Sequence, residues 1–256
     1  MNNLPGDSQS RQHCLSDWLA VHELDSVTCR RILDALPWDA GGTSATDERL
    51  DFAYQEPNLE AVWFTIAAAM GNFLSDQRGI VDDIFEKTVK ICVDHPDKSR
   101  KALTLDNGST AYPTIIFSYR SDRSDPLVMA HEFGHALQIR ASRGKFVPPI
   151  IREVCAFLGE GALLSHTLRG NASQHAHLSQ VWREDTIRYF GPQRDRLRGA
   201  LLEPNAPYKY FWNYPIARFL AIQISKQCSQ EWVWSIFEGK SSVRAVLREL
   251  DFSVSQ

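Results

Sequence analysis

Residues 131–135 read His-Glu-Phe-Gly-His. On a helix, positions i and i+4 lie one above the other, so His131 and His135 would present two imidazoles to one point. A zinc ion suits that arrangement, because it takes neutral nitrogen ligands in tetrahedral geometry. Glu132 would sit beside the metal and not on it. There its carboxylate can take a proton from a metal-bound water and return it to a leaving amine, which is the chemistry of amide hydrolysis.

Two imidazoles leave the coordination incomplete. The pattern HExxHxxGxxH fails, since Gln138 and Ala141 stand where Gly and His would be. A carboxylate from the following helix is the other solution. Glu153 lies eighteen residues after His135, just past Pro148-Pro149, and a helix–loop–helix hairpin of that length can fold it back onto the histidines. Glu160, two turns further, suits a ligand, a supporting partner or a plain surface carboxylate. His166, His175 and His177 are rivals that read better as solvated or capping histidines.

The elements that must hold these residues are mostly helical. Apolar spacing predicts helices over Leu15–Leu24, Ser26–Leu36, Leu59–Phe73 and Ile80–Val93. His95–Ser109, with Pro96, Asn107 and Gly108, reads as a loop. Ala111–Tyr119 (AYPTIIFSY) reads as a strand, and Pro113 favours an edge position. Asp125 then suits an N-cap and Pro126 the first position of a motif-bearing helix to Ser142. Gly134 would let a neighbouring helix approach closely. After a loop over Arg143–Pro149, helices are expected over Ile150–Arg169, 171–202 and 212–226, with a closing pair over 229–250. The fold class is mainly α with a small sheet. The expected organisation is a flexible tail (1–15), an N-terminal helical segment (16–100) and a catalytic region (101–256), the last two forming one compact unit.

Composition narrows the setting. With 256 residues, 43% of them hydrophobic, and a net charge of −3, the chain is globular and shows no charge signature for nucleic acid or a membrane surface. The five cysteines are scattered without a CxxC pair, which fits neither a disulfide framework nor a thiolate zinc site, and matches a reducing cytoplasm. The polar start lacks a secretory core, and no apolar run is long enough to span a membrane. Cytoplasmic residence is the expectation, with export by a signal-independent route left open.

The stretch AYPTIIFSYRSDRSDPLVMAHEFGHALQ (111–138) resembles the catalytic segment of the thimet oligopeptidase and oligoendopeptidase F family of metallopeptidases. Residues 153–160, EVCAFLGE, resemble that family's E-V-P-S-Q-x-x-E. YKYFWNYPIARFLAIQI (208–224) is similar to its tyrosine-rich helix, and FEGKSSVRAVLRELDF (237–252) to its C-terminal segment. The likeness covers roughly residues 100–252. It implies a zincin-like catalytic domain of the gluzincin kind with one zinc ion, Glu153 as third ligand and Glu160 in a supporting position. It also implies a phenol that stabilises the oxyanion, with Tyr210 and Tyr214 first and Tyr208 third. The 111–119 strand would bind a peptide or protein substrate as an added strand. Departures are the Gln138 in place of a frequent histidine, the shorter interval from His135 to Glu153, and the short N-terminal part. Family members are usually more than twice this length, with an N-terminal region that narrows the channel, so restriction to short peptides does not carry over. Rival readings are an HExxH metalloprotein repurposed for oxidative peptide modification, a peptide-binding module, and a dedicated maturation or effector peptidase acting on one protein.

Overall fold

A computed structural model describes residues 13–37, 58–93, 102–120 and 122–252. Two short helices, α1 (Leu15–Val21) and α2 (Ser26–Ala35), open the described chain, followed by α3 (Leu59–Phe73) and α4 (Arg78–Lys87). A three-stranded sheet follows, from β1 (Val89–Cys92), β2 (Leu103–Leu105) and β3 (Thr114–Phe117). Next come α5 (Asp125–Ser142), α6 (Pro149–Gly170) and α7 (Ala172–Arg188), a π turn at Tyr189–Gln193, and α8 (Arg194–Ala200). A 3-10 turn at Tyr210–Trp212 leads into α9 (Asn213–Gln227), and α10 (Gln230–Phe237) and α11 (Val243–Glu249) close the fold. The architecture is mainly helical with one small sheet. No helix among the described residues is long and apolar enough to cross a membrane.

Helix α5 is buried on nearly all sides, so it forms the spine of the core and not an amphipathic surface helix. Trp63 of α3 packs on Phe133 with ring centroids 4.9 Å apart, and both side chains are fully buried. Each such ring contributes about 1.5–3 kcal/mol by leaving water. The helix ends where Arg143 enters the left-handed region at φ 52° and Gly144 follows at φ 76°. That reversal sends α6 back across α5. Buried residues of α1–α4 belong to the same apolar cluster as those of α5–α11.

Several expectations need correcting. The helix expected over Ile80–Val93 stops at Lys87, and Val89–Cys92 is a strand. Val81 and Ile84 are buried on the helix, whereas Val89 is exposed on the sheet, so one apolar rhythm served two elements. The region read as a loop, His95–Ser109, holds β2; its residues 95–101 lie outside the described residues. The strand expected at an edge is central. β3 pairs in parallel with β1, Ile115 opposite Lys90, and antiparallel with β2, Ile115 opposite Thr104. Pro113 lies just before Thr114 and removes no ladder hydrogen bond, so it imposes no edge position. Asp125 does not cap its own helix either. Its Oδ2 accepts the backbone N–H groups of Arg120 (2.8 Å) and Asp122 (3.0 Å), tying down the preceding turn. Of the expected tail, residues 1–12 lie outside the described residues; His13 and Leu15 bond to the backbone of Tyr208 and Ala206.

Candidate metal centre

The centre depends on how closely α5 and α6 cross. Two glycines make the contact. A Cβ on Gly134 would come within 2.6 Å of the Cys155 carbonyl oxygen, and one on Gly159 within 2.5 Å of the Ala130 carbonyl oxygen. Both obstacles are backbone and cannot swing away. With no side chain at either point, α6 lies against α5 and its inward carboxylates reach the imidazoles.

His131, His135 and Glu153 each offer a donor atom, all within 4.8 Å of one another. Glu153 Oε2 is 3.3 Å from His131 Nε2, and Glu153 Oε1 is 3.6 Å from His135 Nε2. Ligand atoms about 2.0–2.1 Å from a tetrahedral ion stand about 3.3–3.4 Å from one another, so each imidazole nitrogen lies near ligand spacing from one of the two carboxylate oxygens. The imidazole planes are nearly perpendicular, at 84°. Glu153 is only 1% exposed, and its Oε2 has no hydrogen-bond donor. A buried carboxylate oxygen without a donor is costly, and a cation between the three groups would satisfy it. The donor set therefore fits a small divalent metal.

The charges point the same way. Burial pushes the Glu153 carboxyl up, but the two imidazoles and the Tyr210 hydroxyl outweigh it and hold the group at about 2. Burial lowers His131, yet its contacts with Glu153 and Glu160 prevail and raise it to about 10. Burial dominates at His135 and lowers it. The metal-free pocket thus draws a positive charge to the point where the donors converge.

Glu160 lies behind His131. Its Oε1 is 2.8 Å from His131 Nδ1, and a carboxylate can only accept there, so Nδ1 carries the proton. Arg218 Nη1 donates to Glu160 Oε2 at 2.8 Å. The Arg218 guanidinium, fully buried, is enclosed by the rings of Phe157, Trp182 and Tyr189, 4.2, 4.6 and 5.3 Å from its Cζ. A cation–carboxylate–imidazole chain therefore holds the Nδ1 proton, so that a metal would displace the proton on His131 Nε2 and bind at that nitrogen.

Glu132 is buried beside this cluster. The Thr104 hydroxyl donates to its Oε2 at 2.6 Å, so β2 reaches over α5 at this point. The three tyrosines are drawn together but play different parts. Tyr210 donates to Glu153 Oε1 at 2.5 Å. Tyr208 accepts from Asn213 Nδ2 at 2.8 Å, and Asn213 Oδ1 accepts from Trp18 Nε1 at 2.8 Å. The Tyr214 ring packs against those of Tyr210, Tyr189 and Phe157. Burial, with the charges of Glu153 and Glu132, raises its hydroxyl above the ordinary range.

The rival histidines are engaged elsewhere. His166 Nδ1 meets Asn72 Nδ2 at 3.3 Å, His175 Nδ1 meets the Leu164 carbonyl at 3.0 Å, and His177 Nδ1 meets the Ser173 carbonyl at 2.9 Å. Thr104, Arg218, Asn213 and Trp18 were not singled out by sequence. The Leu-Thr-Leu alternation before Asp106-Asn107-Gly108 was a faint signal for β2; a mid-helix arginine carries none.

The crossed α5–α6 pair under a small sheet defines a zincin-like fold. No protein-family model and no curated protein sequence matches the chain. Among solved structures, the fold is similar to that of a protein assigned as an oligoendopeptidase F from Bacillus anthracis str. Ames, with a TM-score of 0.54 and 14% sequence identity. The match covers 77% of this chain and 43% of that one, so the chain spans less than half of that protein's length. At this identity the likeness is one of fold.

Proposed function

We propose that the chain is a zinc-dependent endopeptidase, with His131, His135 and Glu153 as ligands and Glu132 as general base. The convergence of three donors from two crossed helices, all within 4.8 Å, carries this reading. A zinc ion bound there would polarise the scissile carbonyl and lower the pKa of a bound water.

The chain's own groups supply the rest. Glu132 takes the proton from the attacking water and passes it to the leaving nitrogen. The Thr104 hydroxyl engages Glu132 Oε2, and Oε1 would take the water's proton. Oxyanion stabilisation needs a hydroxyl proton to donate. Tyr208 accepts from Asn213 and keeps its own proton, and Tyr214 lies beside both glutamates. Tyr210 would have to release Glu153 first. β3 is bonded on both sides and β1 and β2 each have one free edge among the described strands, so substrate backbone adds not to 111–119 but to the outer edge of β2, whose Thr104 bonds Glu132. Backbone pairing of this kind gives affinity with little sequence selectivity.

The test is digestion of a peptide library by zinc-loaded wild type and Glu132→Gln, with cleavage sites mapped by mass spectrometry. Wild type should cut, and Glu132→Gln should keep zinc and stop cutting. Equal cutting by both would remove Glu132 as the base. A zinc-loaded wild type that leaves every peptide intact would remove the peptidase reading.

A further inference from the structure

Along α6, beyond the Phe157 ring that packs on His131, lies a cavity of about 540 Å³, within the range of small-molecule sites. Its floor is apolar, including Phe73, Leu158, Ala162 and Ile222, and Arg169 and Lys226 stand among its walls. No acidic side chain lines it among the described residues. Arg218 closes its inner end. Glu160 engages that guanidinium through Nη1, while Nε and Nη2 have no acceptor. The Trp182 indole, 4.6 Å from the Arg218 Cζ, also has its Nε1–H buried without an acceptor. Three neighbouring donors thus lack a partner in a site of positive charge, each costing about 1–3 kcal/mol while unmet.

Gly161 is an independent sign. It lies in the middle of α6, where glycine costs about 1 kcal/mol relative to alanine. At Gly134 and Gly159 a Cβ would strike backbone, but at Gly161 it would meet nothing within 4 Å. Packing does not require this glycine. Gly161 lines the cavity, so a large side chain there would project into it.

We propose that the cavity binds a small monocarboxylate with a hydrocarbon tail. Its carboxylate would sit on Arg218 Nε and Nη2 and Trp182 Nε1, and its tail on the apolar floor. The unmet donors have little solvent access, so the mostly buried Trp182 indole rotates to admit the head group and carries its N–H onto the carboxylate. The guanidinium then bridges two carboxylates, that of the ligand and that of Glu160.

The experiment is isothermal titration of the full chain with octanoate and with 1-octanol, its neutral counterpart. Octanoate should bind at least about tenfold more tightly, as a charge-assisted contact predicts. Gly161→Leu should keep the melting temperature and weaken octanoate at least about tenfold by filling the space. Trp182→Phe keeps the ring, removes the N–H and should narrow the preference for octanoate. Undetectable octanoate binding, equal binding of octanol, or undiminished binding by Gly161→Leu would each overturn the proposal. Unchanged preference in Trp182→Phe would overturn the placement of the head group. Binding is read without peptide hydrolysis, so the result is independent of the proposed activity.

Discussion

His22 makes a sharp prediction about stability against pH. It is buried at the start of α6, where the first-turn amides lack helical acceptors and Pro148 and Pro149 have none to offer. Its Nε2 accepts the Ile150 N–H at 3.0 Å, and its Nδ1 donates to the Trp18 carbonyl at 2.6 Å. Only a neutral ring can do both. Burial lowers its pKa from 6.5 to about 4, and the Trp18 contact offsets this only in part. As pH falls below 6.5 the unfolded chain takes up the proton first, so stability declines until the folded form also binds it near 4. At about 1.4 kcal/mol per pH unit the full loss is about 3 kcal/mol, of which about 2 kcal/mol falls between about pH 7 and about pH 4.5. Urea denaturation of wild type and His22→Gln at both pH values isolates this site, because the other titrating groups are common to both proteins. The stability advantage of wild type should shrink by about 2 kcal/mol at the lower pH. An advantage that stays constant would refute a neutral buried His22. The consequence reaches the site, since Ile150 is one turn from Glu153.

Three further outcomes follow from the geometry. Glu160→Gln should weaken zinc binding about 10- to 100-fold in chelator competition, by loosening His131; unchanged affinity would detach Glu160 from the centre. Gly134→Ala places a Cβ 2.6 Å from the Cys155 carbonyl, and forcing α5 from α6 should cost about 1–3 kcal/mol, outweighing a gain of about 1 kcal/mol in helix propensity. A melting temperature equal to or above that of wild type would contradict it. Thr104→Val keeps the shape of the side chain and removes the hydroxyl on Glu132; kcat should fall about tenfold, the equivalent of one hydrogen bond to a charged group, with zinc content unchanged by elemental analysis.

Features that depend on neighbours along the chain were legible in the residues. The i, i+4 spacing set His131 and His135 on one face of α5, Gly134 marked a close helix approach, and Pro148-Pro149 placed Glu153 near the start of the returning helix. The bounds of α3 and α5 were legible for the same reason, since helical hydrogen bonds join residues four apart. Features that depend on distant partners took shape only in the folded chain. Three- and four-residue strands carry too little pattern to announce themselves, so the helix-to-strand change at Lys87–Val89, the existence of β2 and the central place of β3 emerged only from pairing. Glu160 had three readings until α9 brought Arg218 to one oxygen and α5 brought His131 to the other. The tyrosines were interchangeable by sequence and became distinct when Trp18, 195 residues before Asn213, fixed the amide that holds Tyr208. A side chain's type sets which bonds it can make; which partner it finds across the chain is settled by packing.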